Sequence, residues 1–341
     1  MTRLLVTGGC GFIGSNFIHH ILRTRRDWSL VNVDKLSYAG NLENLAEIQN
    51  DPRYWFVRAD IADREQMTAL ASEGIDVIVN FAAETHVDRS ILDPAFFIRN
   101  NVLGTESLLW AAKENRVARF VQISTDEVYG SLGPTGKFTE DSPLRPNNPY
   151  AASKAAADLL CRAFQHTYGL AVIITRCSNN YGPYQFPEKV IPVCISNALA
   201  DRPLPLYGDG LNVRDWIYVE DHCRAIEAVI ERGQPGEVYN IGSNQEMTNL
   251  ELMRTILRVL GKPESLIQFV KDRPGHDRRY AMDSTRIQRE LGWRPRVGFE
   301  EGIRRTVEWY QTHQDWLARV KSGAYREYYR QHYIERHGLK E

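Results

Sequence analysis

Cysteine is scarce in this chain, with five in 341 residues (Cys10, Cys161, Cys177, Cys194 and Cys223), none at a paired or metal-like spacing. That excludes a disulfide framework and fits a reducing cytoplasm. The nine histidines form no His-x-x-x-His pair, so no metal site is expected. No apolar run approaches the roughly 20 residues of a membrane-spanning helix, and no membrane partner is expected. Met1–Thr7 already reads as a core strand, which leaves no room for a signal peptide before it. Neither sign of charge prevails: 42 Lys and Arg against 43 Asp and Glu give a net charge of −1, no basis for a nucleic-acid partner. Arg23, Arg25 and Arg26 form the obvious basic cluster, read as completing a helix dipole on a solvated surface. There is no internal repeat and no low-complexity linker. The length suits two closely packed domains or one large one.

Arg3-Leu4-Leu5-Val6-Thr7 is a short apolar strand running into Gly8-Gly9-Cys10-Gly11-Phe12-Ile13-Gly14. Phe12, Ile13, Phe17, Ile18 and Ile21 then keep helical spacing. Strand, glycine turn and helix are the context that a dinucleotide fingerprint requires. Gly8 permits the turn, Gly11 lets backbone approach a pyrophosphate, and Gly14 lets helix and strand pack closely. The helix N-terminus offers unpaired N–H groups to phosphate. A second strand ends in Asp34, about twenty residues after the turn, where a carboxylate accepts from a ribose 2′-OH and repels a 2′-phosphate. NAD is therefore expected over NADP, with Lys35 next to the acid as the one opposing feature. Asp60 and Ile61 follow a third strand and are placed to flank an adenine, and Ala82-Ala83 follow a fourth and leave room for the cofactor. Further apolar runs at Arg119–Ile123 and Ala171–Thr175 complete the series. Continuous apolar strands alternating with helices predict an α/β fold, a Rossmann-type doubly wound parallel sheet with its ligand beyond the carboxyl ends of the strands.

At such an end lies Ser124-Thr125-Asp126-Glu127, followed by Tyr150-Ala151-Ala152-Ser153-Lys154. Asn148 caps a helix there, Pro149 suits its first position, and Tyr150 and Lys154 are i, i+4 neighbours. An ammonium beside a phenol of pKa about 10 favours the phenolate, a base for oxidising an alcohol. The adjacent Asp126 and Glu127 imply that the oxidised product is acted on further.

Beyond about Asn180 the alternation weakens and prolines punctuate a loop-rich region. Helical patterns return at Glu220–Arg232, Leu250–Leu260 and Gly302–His313. The division expected is a cofactor domain over 1–180 and, over 181–341, a smaller mixed α/β substrate domain with some segments returning to the sheet, substrate lying in the cleft between. Asn179, Lys189, Arg214, Asn249, Arg273, His276 and Arg278 stand in irregular stretches, where arginines grip phosphate oxygens in a fork. The plainer reading pairs these cations with Asp215, Asp272 and Asp277.

Gly8-x-x-Gly11-x-x-Gly14, Asp34–Asn41, Ala82–Ser90, Ser178–Pro183, Arg214-Asp215-Trp216 and Arg273–Tyr280 resemble the extended short-chain dehydrogenase/reductases. With Thr125-Asp126-Glu127 the chain resembles the dTDP-glucose 4,6-dehydratase family along nearly its whole length. The resemblance implies that Tyr150, with Lys154 and Thr125, takes the proton of the glucose 4-OH as hydride passes to NAD. It implies that Glu127 removes the C5 proton, that Asp126 protonates the departing C6 hydroxyl, and that hydride returns to C6. Gly8, Gly11, Phe12, Ile13, Gly14, Asp34, Lys35, Asp60, Ile61, Ala82, Ala83, Asn100, Tyr150, Lys154 and Asn180 would contact NAD. Asn100 stands where threonine is expected in many relatives. Thr85, Asn179, Lys189, Val190, Pro205, Tyr207, Arg214, Asn249, Arg273 and His276 would hold the nucleotide sugar. A homodimer would pair the helix before Glu114 with the Tyr150 helix. An epimerase or decarboxylase of the same superfamily has no work for Asp126, and a non-catalytic NAD-binding regulator would be expected to have lost part of the set. Residue chemistry leaves thymine against uracil open.

Overall fold

The computed structural model describes residues 2–272 and 276–321. Strands that are apolar at nearly every position must be covered on both faces, and their alternation divides the core in two. Leu4 and Val6 of β1 (Thr2–Thr7) enter one core, and Leu5 enters the other. The next strands are β2 (Trp28–Asp34), β3 (Tyr54–Arg58), β4 (Val77–Asn80), β5 (Arg119–Thr125) and β6 (Val172–Cys177). They lie parallel in the order β3-β2-β1-β4-β5-β6. Helices Phe12–Thr24 and Val219–Arg232 cover one face; Arg64–Ala71, Gly104–Glu114 and Pro149–Tyr168 cover the other. The order reverses between β1 and β4, and the crevice there is where a doubly wound sheet binds its ligand. Thr7 Oγ1 donates to Asn80 Oδ1 (2.6 Å) across that point.

The remaining strands are β7 (Asn179–Tyr181), β8 (Leu204–Tyr207), β9 (Val213–Tyr218), β10 (Val238–Ile241), β11 (Glu246–Thr248) and β12 (Ile267–Val270). β10 extends the large sheet beside β6, while β11-β9-β7 and β12-β8 form small sheets over a third core. Strand β6 runs on past the expected Thr175, because its ladder with β5 continues to the Thr125–Cys177 pair. Its buried Arg176 is tolerated because Nε donates to Asp158 Oδ2 at 2.9 Å.

Two features differ from the sequence reading. Between β4 and the Gly104 helix the chain forms two short helices (Val87–Leu92 and Pro94–Phe97) and a π-turn (Ile98–Leu103), too short for a period to reveal. The arginines after the first helix are not simply solvated. Arg23 pairs with Glu220 (3.0 Å), and Arg25 pairs with Glu227 and Glu231, tying that helix to Val219–Arg232.

Candidate active site

Gly8 has φ +69°, and a Cβ there would stand 2.7 Å from the backbone of Ala82. A Cβ on Gly14 would meet Gly8 O at 2.4 Å, so the turn and the first helix approach as only glycine allows. Gly11 caps that helix without any side-chain bond, leaving its first N–H groups to face the pocket that Gly11, Phe12, Ile13 and Gly14 line. Asp34 is buried at the end of β2, where its carboxylate accepts from the N–H of Leu36 (2.8 Å) and Cys10 (3.0 Å). Burial raises its pKa, and those two N–H groups and Lys35 oppose the rise. The Lys35 ammonium is engaged by Asn100 Oδ1 and lies 3.7 Å from Asp60. Its charge is therefore met by an acid, which removes the feature that opposed NAD. Ile61, Ala82, Ala83 and Asn180 line the same pocket, and Asp60 Oδ1 accepts from the N–H of Ala62 (3.0 Å) behind it.

Thr125, Asp126, Glu127, Tyr150 and Lys154 line the other end of this pocket. Asn148 caps the Pro149–Tyr168 helix by accepting from Ala151 N–H at 2.8 Å, and Gly169 ends it in the left-handed region. The Asn148 amide also donates to Glu127 Oε2 (3.2 Å), fixing one carboxylate against the start of the catalytic helix. Asp126 is only 2 % exposed. Its Oδ1 accepts from Thr125 Oγ1 (3.3 Å), while Oδ2 has no hydrogen-bond partner among the described residues. Burial, then the charge of Glu127, holds the Asp126 carboxyl well above the ordinary carboxylate range, with Arg214 working against them. Both effects favour the protonated form, the form that can donate a proton.

The expected effect of Lys154 on Tyr150 requires a correction. The Lys154 ammonium is buried and donates to the Ile123 carbonyl (2.7 Å). Burial first, then the charge of Glu127, raises the Tyr150 phenol well above its usual value, and the opposing group is the Thr125 hydroxyl rather than the lysine. The helical spacing put both side chains on one face without accounting for the desolvation of that face.

The predicted substrate residues fall into two groups. Thr85, Asn179 and Lys189 line the pocket, and Lys189 Nζ donates to Thr85 O (2.9 Å), with Val190 opening the next helix. Pro205, Tyr207, Arg214, Asn249 and His276 do not line it; of these, Arg214 acts electrostatically on Asp126. Arg214 Nη2 and Asn212 Nδ2 both donate to Asp277 O (2.9 and 3.2 Å), and Asn249 N–H donates to Asn212 O. His276 Nδ1 lies 2.6 Å from Asp272 Oδ1, and its ring meets Tyr207 edge-on. Pro205 and Tyr207 belong to β8. The plainer pairing of loop cations with Asp215, Asp272 and Asp277 holds for His276 with Asp272, whereas Arg278 pairs with Asp209 (2.8 Å) and Asp215 accepts from Ser243 and Gln245. Arg273 lies outside the described residues.

Sequence reasoning overlooked a cluster on the pocket wall. Glu188 is buried and accepts from the Tyr38 hydroxyl (2.9 Å), and Arg89 stacks over the Tyr38 ring (3.9 Å) while lying 3.5 Å from Glu188. Asn101, on the π-turn, donates to Glu84 O and Ser153 Oγ and accepts from Glu84 N–H, clamping the loop after β4 to the catalytic helix. The available signal for Glu188 was its place beside Lys189.

A dinucleotide cradle leading into a Tyr-x-x-x-Lys helix, with a second domain over the cleft, defines an extended short-chain dehydrogenase/reductase. The family model described as GDP-mannose 4,6 dehydratase matches residues 5–306. The chain is 52% identical to the dTDP-glucose 4,6-dehydratase of Xanthomonas campestris pv. campestris (strain B100), over 96% of this chain and 98% of that one. It is similar to the crystal structure of the Streptomyces venezuelae dTDP-glucose 4,6-dehydratase solved with NAD bound, at 51% identity and a TM-score of 0.91 over 94% of this chain and all of the other. The Thermotoga maritima UDP-glucose 4-epimerase shares the architecture at 30% identity and a TM-score of 0.86, covering 92% of this chain and 100% of that one. The chain belongs to the dTDP-glucose 4,6-dehydratase family.

Proposed function

We propose that the chain converts dTDP-glucose to dTDP-4-keto-6-deoxyglucose, a step toward deoxysugars of the rhamnose type, with NAD as its resident cofactor. The observation that carries this reading is the Asp126–Glu127 pair on the pocket wall, one carboxyl buried and biased toward its acid form, the other held against Asn148. An epimerase has no use for such an acid. The relatives' shared name favours the dTDP sugar over the GDP sugar of the family model.

The uncapped helix start at Gly11, the buried carboxylate of Asp34 and the small side chains of Ala82 and Ala83 fit NAD. Phe12, Ile13, Lys35, Asp60, Ile61, Asn100 and Asn180 complete its surroundings. NAD bound there supplies hydride acceptance from the sugar C4 and hydride return to C6. Tyr150 takes the 4-OH proton, for which its phenol must ionise once cofactor and substrate fill the pocket, with Thr125 and Lys154 close by in that pocket. The resulting 4-ketone acidifies the C5 proton, since the electron pair left behind delocalises onto oxygen. Glu127 removes that proton, and C5 is reprotonated after hydride has returned to C6. Asp126 gives its proton to the C6 oxygen, which leaves as water. Thr85, Asn179, Lys189 and Val190 bind from the pocket side, and Pro205, Tyr207, Arg214, Asn249, Arg273 and His276 from the second group, where the guanidiniums suit the diphosphate. Residues 1–180 hold the cofactor and 181–341 mainly the sugar nucleotide, with Val219–Arg232 and β10 serving the sheet. The free, buried cysteines and the need for NAD suit the cytoplasm.

Incubation of the purified protein with dTDP-glucose and no added cofactor yields a sugar nucleotide lighter by one water, with a new C6 methyl signal in the proton NMR spectrum. A product of unchanged mass, epimerised at C4, would overturn the dehydratase reading.

The chain works as a homodimer. Leu92 is 81 % exposed, and Phe96, Ile98, Leu103 and Leu159 are also exposed, on the segments before Glu114 and on the Tyr150 helix. Isologous pairing would bury this apolar set. Leu103→Asp combined with Leu159→Asp gives a monomer in sedimentation, against a dimer for the parent chain. A parent chain that sediments as a monomer at micromolar concentration removes the proposal.

A further inference from the structure

His222 is fully buried on the helix Val219–Arg232, and no step of the dehydration uses it. An imidazole taken out of water is costly unless its polar atoms find partners. Only one of them does. Nδ1 lies 2.9 Å from Asn180 Oδ1, while Nε2 has no hydrogen-bond partner among the described residues. Asn180, 42 residues earlier in the chain, lines the cofactor pocket.

The neighbours decide which atoms face each other. The Asn180 amide meets the Ser178 carbonyl at 2.9 Å, and a carbonyl only accepts, so the amide presents Nδ2 there. Oδ1 is thereby turned to His222, and it too only accepts. The imidazole proton therefore sits on Nδ1. The other tautomer would set two acceptors against each other and strand a buried N–H without a partner, which is costly. The imidazolium would strand the same N–H. Burial pushes the His222 pKa down to about 3, so the ring is neutral. The backbone of Asn180 is held separately, by pairing with Ile217 between β7 and β9 and by Gln185 Nε2, which donates to its carbonyl at 2.9 Å. What His222 adds is the orientation of the amide. That amide has two N–H bonds, and the Ser178 carbonyl takes one.

We propose that His222 is a positioning residue for the cofactor, its Nδ1–H holding the Asn180 amide so that the second N–H is presented to an acceptor oxygen of NAD. The inference rests on the reading that NAD fills this pocket and touches Asn180, and not on the fate of the sugar. Without the histidine N–H the amide keeps one anchor instead of two, and Oδ1 is left buried and unpaired.

The test reads the release of NAD from the holoenzyme, diluted into an enzyme that consumes free NAD. His222→Leu keeps the bulk and loses the donor. His222→Asn returns an N–H near the place of Nδ1, at a helix propensity close to that of histidine. His222→Leu releases NAD about tenfold faster than the parent, the order that one buried hydrogen bond supplies, and His222→Asn stays within about threefold. Asn180→Ala also releases it about tenfold faster. The double variant separates positioning from packing. If His222 acts through Asn180, adding His222→Leu to Asn180→Ala accelerates release no further. Equal acceleration in both backgrounds means that the histidine merely fills the core, and overturns the proposal. Release from Asn180→Ala at the parent rate overturns it as well. A second readout leaves the histidine in place: nitrogen NMR of the holoenzyme labelled in its histidines, where the His222 resonances are those that Asn180→Ala displaces. They report the Nδ1–H tautomer, unchanged across the range in which an ordinary histidine titrates. An Nε2–H tautomer overturns the proposal even if no His222 variant folds. A parent chain that binds no NAD overturns the cofactor reading and this inference with it, whereas one that binds NAD and leaves dTDP-glucose intact overturns the dehydratase reading alone.

Discussion

Asp126→Asn slows water loss from the sugar by about 10²–10⁴-fold, the range that a positioned general acid contributes. Oxidation at C4 does not need this proton, so reduced cofactor accumulates and is read by its absorbance. Glu127→Gln gives the complementary defect: the C5 position no longer exchanges with deuterium from the solvent. Undiminished dehydration by Asp126→Asn would remove Asp126 from the mechanism. The pH dependence follows from the same carboxyl. Its pKa in the fold is raised by burial and by Glu127, so activity falls as pH rises through that value and the acid form is lost. Stability moves in the same direction. Between the ordinary carboxylate pKa and the raised one, the folded chain holds a proton that the unfolded chain has released. The stabilisation linked to this site is therefore full below the ordinary value and declines across the window above it. Asp126→Asn abolishes that decline, so its Tm relative to the parent rises as the buffer is taken from mildly acidic to alkaline.

Gly14→Ala removes NAD and destabilises the fold by about 1–3 kcal/mol or more, as overpacking of a tight contact does. The added methyl would stand 2.4 Å from Gly8 O and 2.8 Å from Gly9 Cα. Both are backbone atoms of the turn that shapes the pyrophosphate cradle, so no side chain can swing aside to make room. Calorimetry and the ratio of copurified NAD to protein measure the two effects. Gly133→Ala is the control. It lies in an exposed loop with nothing within 4 Å of the added Cβ, so its effect stays within about 0.5 kcal/mol and NAD is retained. Full NAD occupancy in Gly14→Ala would show that the cradle tolerates what its geometry forbids.

Much of the cofactor half was legible because its signals are local. The Gly8–Gly14 turn, Asp34 and the Tyr150–Lys154 helix each declare themselves within a short window, where one period, one cap or one spacing is enough. The short helices at Val87–Leu92 and Pro94–Phe97 and the π-turn after them escaped, since none completes the repeats on which a period is read. Glu188 escaped for another reason. Its partner Tyr38 lies 150 residues away, and nothing in either neighbourhood announces the other.

By itself the sequence determined the parallel sheet, the glycine turn, the acid at the end of β2 and the set Thr125, Asp126, Glu127, Tyr150 and Lys154, all through residue type and spacing. Only the tertiary structure decided the surroundings of that set. It buried Asp126 beside Glu127, brought the charge of Arg214 to bear on it, set the Lys154 ammonium on the Ile123 carbonyl, and put the Thr125 hydroxyl on Asp126. Desolvation and the charges that distant segments bring to a buried group govern its pKa, and neither exists until the chain has folded.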